Sequence, residues 1–335
     1  MNQPLVTVVL TAYNHENYIK AAIESIFCQS YTPIELIIID NASTDYTLRI
    51  VQSLVSLDNS IQVISNPENV GLCAAFNQGL AIAKGKYIID FSGDDVMLSN
   101  RIAVQVQDFE KLEDDYIVAF SNASLIDPTG ALICNHYQID SQGKAVINIP
   151  NGKVYPDILA QYFICTPTMM MRTDLVKNVG GYDESLRFED FDFWVRTSSK
   201  YKYHYTDKIL TKKRCLSNSL GSSIVLKGSG ILDSCYIVCE KAYSINSSKV
   251  EFSLLAARIR TFIRKCWYAH EFDLAIKFSV LLRSIEKLGW NTKLIVTFCK
   301  LRIPINALYC FYIKNFKFYK PISKDFSSRF VRIKN

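Results

Sequence analysis

The chain is predicted to fold as an α/β protein, with a mostly parallel central sheet flanked by helices and a C-terminal helical appendage. Three observations predict this. Short apolar runs that read as strands alternate with segments of helical periodicity over residues 1–120. Two of those runs stop at carboxylates, Asp40 in one case and Asp94-Asp95 in the other. From Ile231 onward the strand signal gives way to helical patterns.

Strands are expected at Leu5–Ala12, Ile34–Asp40, Ile61–Asn66, Lys86–Phe91 and Tyr116–Ser121. Between the first two, Ile19, Ala22, Ile23, Ile26 and Phe27 recur at helical spacing within Tyr18–Ser30. A helix near Thr44–Ser56 follows Asn41-Ala-Ser-Thr-Asp45, whose polar residues suit an N-cap. A third helix spans Leu72–Lys84, with Gly85 at a common C-cap position, and a fourth opens from Ser99. Strand–helix alternation of this kind implies a parallel sheet covered on both faces. Residues 127–156 carry Gly, Pro, Asn and short β runs and read as an irregular insertion. Beyond them, Phe163–Arg172 reads as a returning strand, Asp174–Val179 and Glu189–Ser199 as helices, and Lys202–Lys213 as β-rich. About three helices follow. The chain is therefore divided into 1–225, with halves at 1–120 and 121–225, and a basic, aromatic-rich region at 226–335.

With 335 residues, 49% of them hydrophobic, the chain can bury a large core. No secretory leader is read at Leu5–Ala12, which lacks a preceding basic segment, and no apolar stretch is long enough to span a bilayer. Ten scattered cysteines without Cys-x-x-Cys read as reduced thiols of a cytoplasmic protein. The net charge of +6 hides an asymmetry: residues 251–335 hold 17 Lys+Arg against 5 Asp+Glu.

Chemistry concentrates at the strand ends. Gly93-Asp94-Asp95 places two adjacent carboxylates after an apolar strand, an arrangement suited to Mg²⁺ or Mn²⁺ shared with substrate phosphates. The plain alternative is a solvated turn that caps the next helix. Asp40 is an acceptor for a base imide N–H or a ribose hydroxyl, although capping serves Ser43 and Asp45 equally well. Thr11-Ala12-Tyr13-Asn14 closes the first strand and would meet the same ligand through backbone and ring, with Tyr13 otherwise a core residue. Glu189 and Asp190 open a helix among Phe188, Phe191, Phe193 and Trp194. Acids favour a helix N-terminus for dipole reasons alone, yet a carboxylate in an aromatic wall is also a candidate general base. Dinucleotide, P-loop and α/β-hydrolase signatures are missing from the sequence.

Taken in order, these segments resemble the inverting glycosyltransferases of family 2, which have the GT-A fold. The resemblance runs from Val6 to about Ser219 through Thr11–Asn14, Glu35–Asp45, Asn69-Val-Gly71, Asn77, Gly85–Ile89, Ser92–Asp95, Gly180–Asp183 and Glu189-Asp190. It implies transfer of a sugar from a nucleotide-diphosphate donor, in the first instance a UDP-sugar, to an acceptor hydroxyl in a bacterial surface polysaccharide such as O-antigen or capsule. It assigns nucleotide contacts to Thr11, Ala12, Tyr13, Asn14, Asp40, Asn69, Gly71, Asn77 and Gly93. Asp94 and Asp95 become the metal ligands, Asp190 the base, Glu189 and Trp194 its neighbours on the acceptor side, and Arg214 a contact to the diphosphate. Three positions depart from the family: Ser92 replaces the first acid of Asp-x-Asp, Phe76 stands where many relatives have Arg, and Cys215 follows Arg214 where relatives often place His. With Cys215 in that place, Arg214 or Lys213 is left to meet the diphosphate. A catalytically impaired nucleotide-sugar-binding protein and, more remotely, a nucleotidyltransferase are the alternatives.

The basic C-terminal region has two readings. Runs such as Phe311–Lys320 fit peripheral attachment to the inner face of the cytoplasmic membrane, where a lipid-linked saccharide acceptor would lie. They also fit a helical appendage packed on the catalytic domain. Nucleic acid is not an expected partner, since no binding motif accompanies the charge.

Overall fold

The computed structural model describes residues 3–55, 61–216, 224 and 226–305. Strands β1 (Val6–Ala12), β2 (Ile34–Asp40), β3 (Gln62–Ser65) and β4 (Tyr87–Ser92) alternate with helices α1 (Ile19–Phe27), α2 (Thr47–Val55) and α3 (Leu72–Ile82). Then follow β5 (Val96–Met97), α4 (Arg101–Phe109), β6 (Tyr116–Ile126), β7 (Leu132–Asn135), α5 (Tyr155–Ala160), β8 (Met170–Arg172), α6 (Thr173–Asn178), α7 (Asp190–Ser198) and β9 (Lys202–Arg214). Helices α8 (Ile231–Ile245), α9 (Lys249–Tyr268), α10 (Phe272–Arg283) and α11 (Trp290–Lys300) complete the described chain.

All nine strands form one sheet in the order β3-β2-β1-β4-β8-β6-β9-β5, with β7 on β6. The long ladders, β1–β2, β1–β4 and β6–β9, are parallel, whereas the antiparallel ones are short. Every residue of β1 is buried, and its side chains alternate between two cores. Val6, Val8 and Leu10 pack with residues of α1, α2 and α4 on one face, and Val9 packs with residues of α3, α5 and α7–α11 on the other.

Two expectations are revised. The run Phe163–Arg172 is not a full strand: residues Thr166–Thr168 form a 3₁₀ turn and only Met170–Arg172 pair. Pro167 has no N–H for a ladder, which is the physical reason. Helix α3 ends at Ile82 with the N–H of Ala83 bonded to Gly79, so Gly85 is not its cap.

The helices after 230 share one continuous core with the sheet. Leu254, Leu255, Ile259 and Phe262 of α9 lie in the same cluster as Phe120, Phe191 and Trp194. Lys241 of α8 reinforces this junction, reaching Asp183 at 2.5 Å and Asp192 at 2.6 Å. Asp192 is buried in α7 and also accepts from Arg196 Nε at 2.6 Å. The segment Phe311–Lys320 lies outside the described residues.

Without Lys241 the buried Asp192 keeps Arg196 but loses its second cation, and Asp183 loses its lysine. Lys241→Met is therefore expected to destabilise the protein by about 1–2 kcal/mol, read from urea unfolding. A variant as stable as the parent would show that the α8–α7 junction does not depend on this pair.

Candidate active site

Parallel pairing brings the first two acids to one edge of the sheet. Ala12 at the end of β1 pairs with Asp40 of β2, and Thr11 pairs with Ser92 of β4. The backbone continues the pairing, since Asn41 N–H donates to Ala12 O (2.8 Å) and Gly93 N–H to Thr11 O (2.9 Å). Asp40 and the Asp94 loop thus flank β1, two strand spacings or about 10 Å apart.

Asp40 is buried, and its Oδ2 accepts from Ser43 N–H at 3.3 Å. Its Oδ1 is also buried and has no hydrogen-bond partner. A buried carboxylate oxygen left unsatisfied is costly, and an imide N–H or a sugar hydroxyl would satisfy it. Beside it Tyr13 is 44% exposed, so it is not a core residue. Thr11 and Ala12 are buried and form the floor.

Asn14, Asn69 and Asn77 hold loops together. Asn14, at φ 56°, accepts from Thr44 N–H (2.8 Å). Asn69 Oδ1 accepts from Gly71 N–H (3.0 Å) and from the Asn41 amide (3.0 Å), while Asn41 also takes donors from Asn66 and Val70. Asn77 clasps the loop before α7 through Tyr182 N–H (3.0 Å), Tyr182 O (2.9 Å) and Glu184 (2.8 Å). Phe76, in place of the expected Arg, is fully buried and packs on Tyr182 with ring centroids 4.4 Å apart.

At the acid pair the two carboxylates differ. Asp94 is half-buried and takes a short hydrogen bond from Ser92 Oγ. Asp95 is buried, accepts from the backbone N–H of Arg214 (2.8 Å), and is raised to about 8 by burial and then by Asp94. The Arg214 guanidinium braces this loop, donating to Asp94 O (2.9 Å), Asp127 O (3.0 Å) and Pro128 O (3.1 Å) over the Tyr18 ring. A Cβ at Gly93 would lie 2.9 Å from both His15 Nδ1 and Ile19 Cδ1, so the loop needs a bare backbone there. His15 Nδ1 is buried without a partner, and burial lowers its proton affinity. This histidine escaped the sequence reading, because nothing local shows that it abuts Gly93.

Among the described residues no group of three or more His, Cys, Asp or Glu is arranged to hold a metal. The donors present still fit a hard divalent ion. One or two carboxylates, with substrate phosphates and water, are the usual protein contribution to such a site.

Glu189 and Asp190 sit at the first turn of α7, half-buried. Asp190 Oδ1 accepts from Phe191 N–H (2.6 Å) and Oδ2 from Thr166 Oγ1 (3.5 Å). Burial raises both acids. Asp190 is relieved by Phe191 N–H, Lys213, Thr166 and Arg258, whereas Glu189 is pushed further by Asp190 and Asp90. Lys213 lies in the charge field of both Asp95 and Asp190; burial pulls it down, but Cys165, Asp95 and Asp190 hold it above the usual lysine range. Trp194 is 1% exposed, its indole N–H donates to Met169 Sδ (3.2 Å), and it packs in the core behind the acids, where it supports them from the side away from solvent. Its place on the inward face of α7 decides this.

The Glycosyl transferase family 2 profile matches residues 7–178. The chain belongs to glycosyltransferase family 2. An uncharacterized glycosyltransferase of Methanocaldococcus jannaschii, MJ1057, is 32% identical over 64% of this chain and 72% of its own length. The putative glycosyltransferase EpsE of Bacillus subtilis is 34% identical over 58% of this chain and 66% of its own. Residues 1–349 of S. aureus TarS, solved with UDP-GlcNAc, superpose with a TM-score of 0.60 at 15% identity, covering 94% of this chain and 93% of that one. A mannosyltransferase of Pyrobaculum calidifontis, solved with GDP-Man and Mn²⁺, gives 0.58 at 13%, covering 94% and 89%. The chain spans about half of a longer TarS structure. These likenesses show the GT-A fold for this family 2 glycosyltransferase.

Gly93→Ala is expected to shift the Asp94 loop by a large fraction of an ångström. A misplacement of about 1 Å costs about 10²-fold in rate, so sugar transfer should fall by that order while the protein still folds. Transfer at the parent rate would show that the loop absorbs the methyl group.

Proposed function

We propose that this family 2 glycosyltransferase moves a sugar from a UDP-sugar to an acceptor hydroxyl with inversion, in the assembly of a surface polysaccharide. The reading rests on one observation: the parallel register sets Asp40 beside Ala12 and Ser92 beside Thr11, so Asp40 and the Asp94 turn lie at the same end of the sheet. The unpartnered Oδ1 of Asp40 supports the base at the other end of the donor.

The chemistry follows from charge. Breaking the bond between sugar carbon and diphosphate develops positive charge on the sugar and negative charge on the leaving group. Mg²⁺ or Mn²⁺ held by Asp94, with Asp95 behind it, would supply neutralisation of that leaving group. Lys213 adds a permanent cation to the same end, and Arg214 holds the acid loop in place. Asp190 takes the proton of the acceptor hydroxyl, whose oxygen attacks from the face opposite the diphosphate.

Attachment to a membrane surface is part of the proposal. Among the described residues no helix is long and apolar enough to cross a bilayer. Trp290, 73% exposed, Leu294 and Leu301 fall on one outward stripe of α11 and its end, with Lys293 and Lys300 beside them. An aromatic and aliphatic stripe flanked by lysines suits an anionic interface, where a lipid-linked acceptor would be reached.

A panel of UDP-, GDP- and dTDP-sugars with Mn²⁺, followed by nucleotide release, identifies the donor. Asp190→Asn should lower transfer by about 10³-fold and leave UDP binding nearly unchanged, whereas Asp94→Ala should weaken Mn²⁺-dependent UDP binding by about tenfold or more. Transfer at the normal rate by Asp190→Asn would remove the base from the mechanism. In flotation with phosphatidylglycerol vesicles, the full chain should rise with the lipid and Trp290→Ser/Leu294→Ser should not. Equal behaviour would end the membrane reading.

A further inference from the structure

The helix that carries Asp190 is held from behind by the C-terminal helices. Arg258 projects from the middle of α9 and is 7% exposed. Its Nε donates to Leu159 O (3.0 Å) and its Nη2 to Ile158 O (2.6 Å), at the last turn of α5. The guanidinium lies 4.4 Å from the Tyr162 ring centroid and 5.0 Å from that of Phe191. Phe191 is the residue whose N–H holds Asp190 Oδ1. The cation is therefore one ring removed from the acid, in a wall completed by Trp194 and Phe262.

Burying a guanidinium is costly, and a neutral amide would satisfy helix-end carbonyls at lower cost. What an amide cannot supply is a permanent positive charge in surroundings where water screens little. We propose that Arg258, contributed by the C-terminal helical region, is a positioning residue for sugar transfer: it fixes the first turn of α7 and holds Asp190 in its ionised form. The proposal deepens the reading of Asp190 as the base and rests on it.

Other charged and titratable groups also face this acid. Glu189 adjoins it on α7, Lys213 reaches it from β9, and Thr166 bonds to it from the 3₁₀ turn. Tyr162, with Cys235 and Cys239 of α8, shares the Arg258 environment, and Asp90 of β4 faces Glu189. Lys213 therefore remains when Arg258 is changed. The sign is set by elementary electrostatics. A positive charge favours the carboxylate, so removing it lets Asp190 keep its proton to higher pH. Transfer then falls off earlier on acidification.

The test uses the full chain with ¹³C-labelled aspartate, the Asp190 carboxyl signal being assigned by its loss in Asp190→Asn. Arg258→Gln retains a donor and loses the charge, and its Asp190 midpoint should rise by about one pH unit. Arg258→Lys retains the charge, and its midpoint should stay at the parent value. UDP release from UDP-GlcNAc with Mn²⁺, followed against pH, should show the same displacement of the acid limb. No rise in Arg258→Gln, or an equal rise in both variants, overturns the proposal. Should Arg258→Gln not fold, Arg258→Lys decides: an unchanged midpoint supports the proposal and a raised one overturns it. Continued transfer by Asp190→Asn would instead overturn the base, and the carboxyl titration would still report on Arg258.

Discussion

The parallel pairing of β1 with β2 and β4 is the constraint on which the rest depends. Because the three strands run the same way, their carboxyl ends open on one edge, where the ladders leave off and backbone groups turn to loops. Asp40 and the Ser92–Asp95 turn inherit their closeness from that alignment, though they are more than fifty residues apart. The apolar runs of β1, β2 and β4 matter to catalysis only through this. They bury both faces of the sheet and so hold the edge rigid.

Burying carboxylates, at that edge and on α7, is expensive, and the structure offsets the cost in two ways. Some acids are bound by backbone or side-chain donors, as Asp95 is by Arg214 N–H and Asp190 by Phe191 N–H. Others are matched with cations from remote parts of the chain, as Asp192 is with Arg196 and Lys241. Around Phe191, which donates to Asp190, the rings of Tyr162 and Phe262 pack at 5.2 and 6.3 Å between centroids. The C-terminal helices supply Lys241, Arg258 and much of the apolar surface around α7, so they share one core with the sheet and are not an attachment to it.

Much of this was legible beforehand, for a local reason. The strands that stop at Asp40 and near Asp94 and the helices at 19–27 and 72–82 depend on periodicity and burial within a single element. The ordered motif set from Thr11 to Asp190 likewise belongs to the chain as written. What local reasoning could not reach is set by distant contacts. Trp194 sits among acids in sequence but faces Met169 in space, and Asn77 spends its amide on Tyr182 and Glu184. Arg214, expected at the diphosphate, braces the Asp94 loop, because β9 runs beside β5 and carries it there.

The amino-acid order alone therefore determined the α/β class, the family and the identity of the acids, since those follow from the spacing of side chains along one strand or helix. Tertiary structure alone decided which acids are desolvated, which amides are braces and which cation stands behind α7. Each of those depends on desolvation and on charges brought close across a fold, and neither quantity exists until the chain is packed.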